Sequence, residues 1–289
     1  MLPNWSISVL GHASLLFSGS GKCEIPASVW PLIGLLLCQP GYRANRGQIA
    51  AALWPDKDDE GARHCLGTAI WRLRRALGRD DAPVEAEDDT LRLAPHLWVD
   101  AEAFALRVTR ALEPRGAMPR PVRAKLLRTG LRLYRGEFLG DMLAEWALLE
   151  RERLACLRLD ALHALATLEA EDGHWEAVVA PARLLCGLEP LREDGHRLLM
   201  EAYAATGNRA LALRQYRLCA EILERELSVD PMPETSALAR RLAGSPPPPP
   251  VIETGGAAFT ALVATRATLV DTIGSIDAAL EASQAEMAT

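Results

Sequence analysis

The side chains best placed to do chemistry in this chain lie in one run, Arg63-His64-Cys65-Leu66-Gly67-Thr68-Ala69-Ile70-Trp71-Arg72-Leu73-Arg74-Arg75-Ala76-Leu77. At about 100° per residue, Leu66, Ile70, Leu73 and Leu77 collect into one apolar stripe, while His64, Thr68, Trp71, Arg72 and Arg75 fall on the opposite side. Five arginines and no acid stand between Gly61 and Arg79, in a chain whose formal net charge is −6. Such a face suits the major groove of double-stranded DNA, where arginine pairs bidentately with guanine and neighbouring arginines neutralise phosphates. The alternative is a plain solvated surface, because the negative end of a helix dipole favours cations in any case.

Enzymatic chemistry has much weaker support. Ser18-Gly19-Ser20-Gly21-Lys22-Cys23 resembles a phosphate-binding loop, but Leu16 stands where that motif needs glycine, and Cys23 where a hydroxyl would hold magnesium. We read it as a turn between strands. No nucleophile-elbow, zincin or dinucleotide fingerprint is present. The six cysteines and six histidines are dispersed, without metal-ligand spacing. The expectation is a non-enzyme with no catalytic residue, cofactor or metal, its thiols reduced and buried. Its composition, 49% hydrophobic and 24% charged, is that of a soluble globular protein. The start lacks the basic residue and apolar run of a secretory signal, and the longest apolar runs fall well short of the roughly 20 residues that span a bilayer. A cytoplasmic protein with no membrane partner is expected.

The cationic helix needs a frame to present it. Residues 5–25 alternate loosely between apolar and polar with glycines at 11, 19 and 21, as in short strands joined by tight turns. A helix follows Pro26, with Val29, Leu32, Ile33, Leu36 and Leu37 at helical spacing, and stops at Pro40-Gly41. A second opens at Asn45, with Gln48 three residues on as in a capping box, and closes at Trp54-Pro55. The third runs from about Asp59 to Leu77, closed by Gly78. Then comes a hairpin, Val84–Glu87 and Thr90–Leu93 about a turn at Asp88-Asp89. A small sheet, three helices and a hairpin make a winged helix-turn-helix, whose hairpin can reach DNA beside the recognition helix. This hairpin is acidic, with Glu85, Glu87, Asp88 and Asp89 beside Arg92, so it is not expected to be a major contact.

From Val99 to Leu242 almost everything is helix-periodic. Gly173 and Gly207 lie 34 residues apart, and at the same offset Leu165 maps to Leu199 and Ala170 to Ala204. That period belongs to the tetratricopeptide repeat, whose helical hairpins bury their apolar faces by stacking. Trp146, Trp175, Tyr203 and Tyr216 are expected to pack these helices. The fold class expected is therefore mainly α, a winged helix followed by an all-α tetratricopeptide-like domain. A stiff polyproline linker follows at 246–250. Beyond it Phe259, Leu262, Arg266, Leu269, Ile273, Ile276 and Leu280 step by threes and fours, which suits either a short coiled coil or docking helix, or a largely disordered tail.

Five stretches carry a family resemblance: Leu35-Leu36-Leu37 followed by Pro40-Gly41; Ile49-Ala50-Ala51-Ala52-Leu53-Trp54; Trp71 to Gly78; Val99-Asp100 with Phe104; and Leu227 to Thr235. Residues 5–97 resemble the OmpR-type winged helix, and 98–243 the bacterial transcriptional activator domain, a pairing found in regulators similar to the antibiotic regulatory proteins. The domains expected are 1–97 for DNA, 98–243 for activation, 244–256 as linker and 257–289 as tail. The resemblance implies binding to direct-repeat operators and contact with RNA polymerase, usually to activate genes. Carried over by position, the DNA contacts are His64, Thr68, Trp71, Arg72 and Arg75, with Arg74 as a phosphate contact at the flank. Trp71 departs from the small polar residue common there and packs either on a sugar or thymine methyl, or on the sheet. Self-association through 257–287 is the other partner expected. The rival reading is a protein-interaction scaffold whose winged helix binds no DNA.

Overall fold

The computed structural model describes residues 5–17, 21–77, 83–94, 97–114 and 118–244. The proline run, the heptad pattern from Phe259 to Leu280, Gly19 and Gly78 lie outside them. Strands β1 (Trp5–Ser8), β2 (Ser14–Phe17) and β3 (Gly21–Cys23) form an antiparallel meander. In β1 the alternation resolves as expected, with Trp5 and Ile7 buried and the two serines half-buried. Helix α1 (Trp30–Leu37) follows a single 3-10 turn. Strand β4 (Arg43–Asn45) leads into helix α2 (Arg46–Leu53). Helix α3 (Asp59–Leu77) is followed by the hairpin of β5 (Val84–Glu87) and β6 (Thr90–Leu93). Strand β4 joins this hairpin in the order β4-β6-β5. Strand β7 (Leu97–Val99) returns to lie parallel beside β1. The sequence gives Val99 a place in the helical region, but its backbone closes the first sheet and the helix begins one residue later.

Helices α4 (Asp100–Leu112), α5 (Arg120–Leu131), α6 (Glu145–Glu171), α7 (Trp175–Leu188), α8 (Glu193–Ala205), α9 (Arg209–Leu227) and α10 (Pro233–Gly244) complete the chain to residue 244. The period of 34 is visible in the backbone. Gly173 and Gly207 both adopt positive φ, +73° and +79°. The next amide donates back across each turn, His174 to the Glu169 carbonyl at 2.8 Å and Asn208 to the Tyr203 carbonyl at 2.7 Å. Glycine meets this left-handed conformation without steric cost, which is why the turn is punctuated by it. The aromatic side chains pack as expected: Trp175, Tyr203 and Tyr216 lie against the small repeat cores and Trp146 against the main one.

That main core runs without a break from Trp5 to Leu168, across residues 97 and 98. Three features close the seam. The buried Asp100 carboxylate accepts from the amides of Val9 at 2.9 Å, Leu10 at 3.2 Å and Ala101 at 2.8 Å. Burial pushes this carboxyl above its ordinary value, and the three amides and Arg135 oppose the push. On its other side the segment meets residues 137–139, with Leu139 donating to the Val9 carbonyl and Gly11 to the Glu137 carbonyl, both at 3.0 Å. Arg151 fixes that loop by donating to the carbonyls of Phe138, Leu139, Gly140 and Met142. Gly34 of α1 lies so close to Leu139 and Trp146 that a Cβ there would collide with both.

A second buried polar group sets a pH response. The His196 ring is 1% exposed; its Nε2 donates to the Pro190 carbonyl at 3.1 Å and its Nδ1 accepts from Gln215 at 2.9 Å. Burial holds its pKa below the ordinary 6.5, against the pull of both bonds and of Glu193 and Asp194. A depressed folded-state pKa means that the stability linked to this ring is complete above 6.5 and lost as pH falls toward the folded value, because the unfolded chain takes the proton first. Melting scans from pH 7.5 to 5 should show a falling Tm, with a shallower slope in His196→Gln; equal slopes would remove His196 as the cause.

Of the thiols, only Cys219 is fully buried, whereas Cys156 is exposed and the other four are half-buried. The expectation of buried thiols therefore holds for one of them. Among the described residues no helix is long and apolar enough to cross a membrane.

Candidate nucleic-acid interface

Helix α3 begins on Asp58, whose carboxylate accepts from the Gly61 amide at 2.9 Å. Asp59 and Glu60 occupy its first turn and Arg74 and Arg75 its last, which complements the dipole at both ends. Leu66, Ile70, Leu73 and Leu77 are all buried, together with Ala62 and Ala69, so the helix is anchored by the face its spacing assigns to the core. The anchoring leaves His64, Trp71, Arg72, Arg74 and Arg75 exposed and Thr68 half-buried. His64, Thr68, Trp71 and Arg75 follow at steps of four, three and four and make one line along the helix, with Arg72 and Arg74 about 80° to either side.

These side chains are partly ordered by one another. The Arg75 guanidinium lies 5.0 Å from the centroid of the Trp71 ring, a cation–π contact. Trp71 is 55% exposed, so of the two placements open to it, packing on the sheet is not the one adopted. Arg72 donates to the Ser28 hydroxyl at 3.2 Å, which draws it toward the turn before α1. The Thr68 hydroxyl donates to the His64 carbonyl at 3.1 Å, leaving its oxygen lone pairs open to an outside donor.

Asn45 caps α2 by accepting from the Gly47 amide at 2.7 Å, one residue short of the Gln48 position in a capping box. Its amide also donates to Asp89 at 2.6 Å, and the Arg46 amide donates to the Asp89 carbonyl at 2.8 Å, tying α2 to the hairpin turn. Arg92 is held by Glu85 at 2.7 Å and Glu87 at 2.9 Å, so the hairpin's cation is neutralised within the hairpin. Two relevant residues escape a sequence reading. Arg43, exposed on β4, pairs in register with Arg92, and Ser28 positions Arg72 from 44 residues away. A three-residue strand has too few positions to alternate, and a distant hydroxyl leaves no local signal.

The bacterial transcriptional activator domain model matches residues 99–243. The regulatory protein AfsR of Streptomyces griseus is 30% identical over 230 residues, covering 80% of this chain and 23% of that protein. AfsR of Streptomyces coelicolor is 29% identical over 211 residues, covering 73% and 21%. The chain thus spans less than a quarter of the length of either. The transcriptional regulator RedD of Streptomyces coelicolor is 30% identical over 251 residues, covering 81% of this chain and 68% of RedD. Among solved structures, Mycobacterium tuberculosis EmbR in complex with a low affinity phosphopeptide shares the fold, with a TM-score of 0.69 at 22% identity over 92% of this chain and 71% of that one. The domain match over 145 of 289 residues and the RedD match together place the chain in the bacterial transcriptional activator domain family, among transcription regulators of the antibiotic regulatory protein type.

Proposed function

We propose that this regulator is a cytoplasmic, sequence-specific DNA-binding activator that docks α3 in the major groove. His64, Thr68, Trp71, Arg72 and Arg75 face the bases, and Arg74 contacts phosphate. Arg43, which makes no ion pair among the described residues, adds a second phosphate contact beside the neutralised hairpin. In this reading residues 1–97 bind DNA and 98–243 contact RNA polymerase or a partner subunit. Residues 257–287 of the tail, beyond a linker at 244–256, serve self-association.

The observation that carries the reading is the cationic, solvent-facing side of α3 beyond its acidic first turn, free of acids from Gly61 to Leu77, in a chain that is acidic overall. Long-range repulsion from the remaining acids is screened within roughly 10 Å at moderate salt, so a local patch suffices. Titration of the full chain against genomic fragments, including its own upstream region, at two salt concentrations tests it. Specific binding that weakens steeply with salt is expected. A folded protein that binds no fragment would overturn the proposal in favour of the protein scaffold.

A further inference from the structure

Outside α3, the strongest concentration of positive charge lies on α5. Seven cations and no acid occur from Pro114 to Gly136. Arg120 is neutralised by Glu171 and Asp172, Arg123 donates to the Ala111 carbonyl, and Arg128 pairs with the buried carboxylate of Glu169. Lys125 and Arg132 are different: both are exposed, and neither makes an ion pair among the described residues. With Arg128 they stand at i, i+3 and i+7, on one side of the helix.

That side borders a groove of about 480 Å³ formed by α5, α6 and α7. Its lining is apolar, with Leu131 from α5, Leu162 and Leu165 from α6, and Pro181 and Leu184 from α7. Leu184 is 41% exposed on the α7 side. Lys125 and Arg132 lie seven residues apart, about 10 Å along the helix. A single carboxylate cannot meet charges so spaced, whereas a docked helix with acids at i, i+3 or i+4, and i+7 can, while its leucines fill the groove. Nucleic acid is a poor fit, since an apolar floor offers its backbone nothing.

We propose that the α5–α7 groove is a docking site for an acidic amphipathic helix of a partner protein. Apolar side chains enter the groove between Leu165 and Leu184, and carboxylates meet Lys125 and Arg132 on either side of the already paired Arg128. The site can be assayed with no DNA present, so its failure and the failure of operator binding by α3 are distinguishable.

The test is an anisotropy titration of the full chain with a fluorescent helical peptide of about four turns, leucine on one face and glutamate beside it, and with a counterpart carrying lysine for glutamate. Saturable binding of the acidic peptide is expected, about 10-fold or more tighter than its counterpart. Lys125→Glu with Arg132→Glu should reverse that preference. Leu184→Gln should weaken both peptides, with unchanged melting of each variant as the control for folding. Arg128 is left intact because its removal would strand the buried Glu169. Equal binding of the two peptides, binding indifferent to the variants, or no binding at all overturns the proposal. Saturation by decanoate without peptide binding also overturns it and makes the groove a pocket for small anionic amphiphiles.

Discussion

Replacing Arg72 and Arg75 together by alanine is expected to lower affinity for an operator fragment about 100-fold, or ~3 kcal/mol, with the salt dependence little changed, because both side chains face bases while Arg74 contacts phosphate. Each bidentate arginine–base contact contributes about 1–3 kcal/mol, and the two side chains lie on adjacent parts of one exposed face. Both are solvent-facing and neither supports the core, so the folded state should survive the change. Arg225, exposed and paired with Glu226 on α9, supplies the control, whose alanine variant should bind as the parent does. If the double variant keeps full affinity and salt slope, α3 is not the reading element. If it loses affinity with a slope flattened by about one to two ion equivalents, the two arginines neutralise phosphate instead of reading bases. The contact with Arg75 adds a finer expectation for Trp71→Ala: a smaller loss, from a guanidinium no longer held over a ring.

The largest effect on stability is expected from Asp100→Ala. This side chain is 4% exposed and takes three backbone amides, two of them from the segment joining β1 to β2. Removing it leaves those amides without their acceptor, and each buried orphan costs about 1–3 kcal/mol. A total of roughly 4 kcal/mol is expected, near the upper end for a point change and equivalent to a fall in Tm of about 10 °C at this chain length. Asp100→Asn keeps one oxygen but turns its amino group toward a backbone N–H, and should lie between. Calorimetry measures the drop, and hydrogen exchange at Val9 and Leu10 localises it. A Tm within about 2 °C of the parent would show that water or a local shift replaces the carboxylate.

The same two regions show how legible the molecule is in its sequence. Helix α3 could be read because one helix decides it: Leu66, Ile70, Leu73 and Leu77 set the buried face, and the arginines are exposed by subtraction. The repeat could be read because a left-handed turn demands glycine, and Gly173 and Gly207 recur at a fixed interval. The seam could not. Val9, Asp100 and Leu139 are brought together by bonds spanning up to 130 residues of sequence, and nothing local to any of them announces the other two. Strand β7 was hidden for a related reason, since its three residues owe their extended form to pairing with β1 and show no alternation. At the interface, Arg72 was visible as a cation, but its restraint by Ser28 was not, because the hydroxyl comes from the turn ahead of α1.

The continuous core across residues 97 and 98 has a mechanical consequence. If partner binding on the helical repeats tilts α4 or the loop fastened by Arg151, the tilt has no slack in which to dissipate, because Asp100 and Leu139 grip the same strand end. Helix α3 would turn with the helices behind it, as the blade of a key turns with its bow, and, with α3 in the major groove as proposed, occupancy at one end would be felt as torque on the DNA at the other.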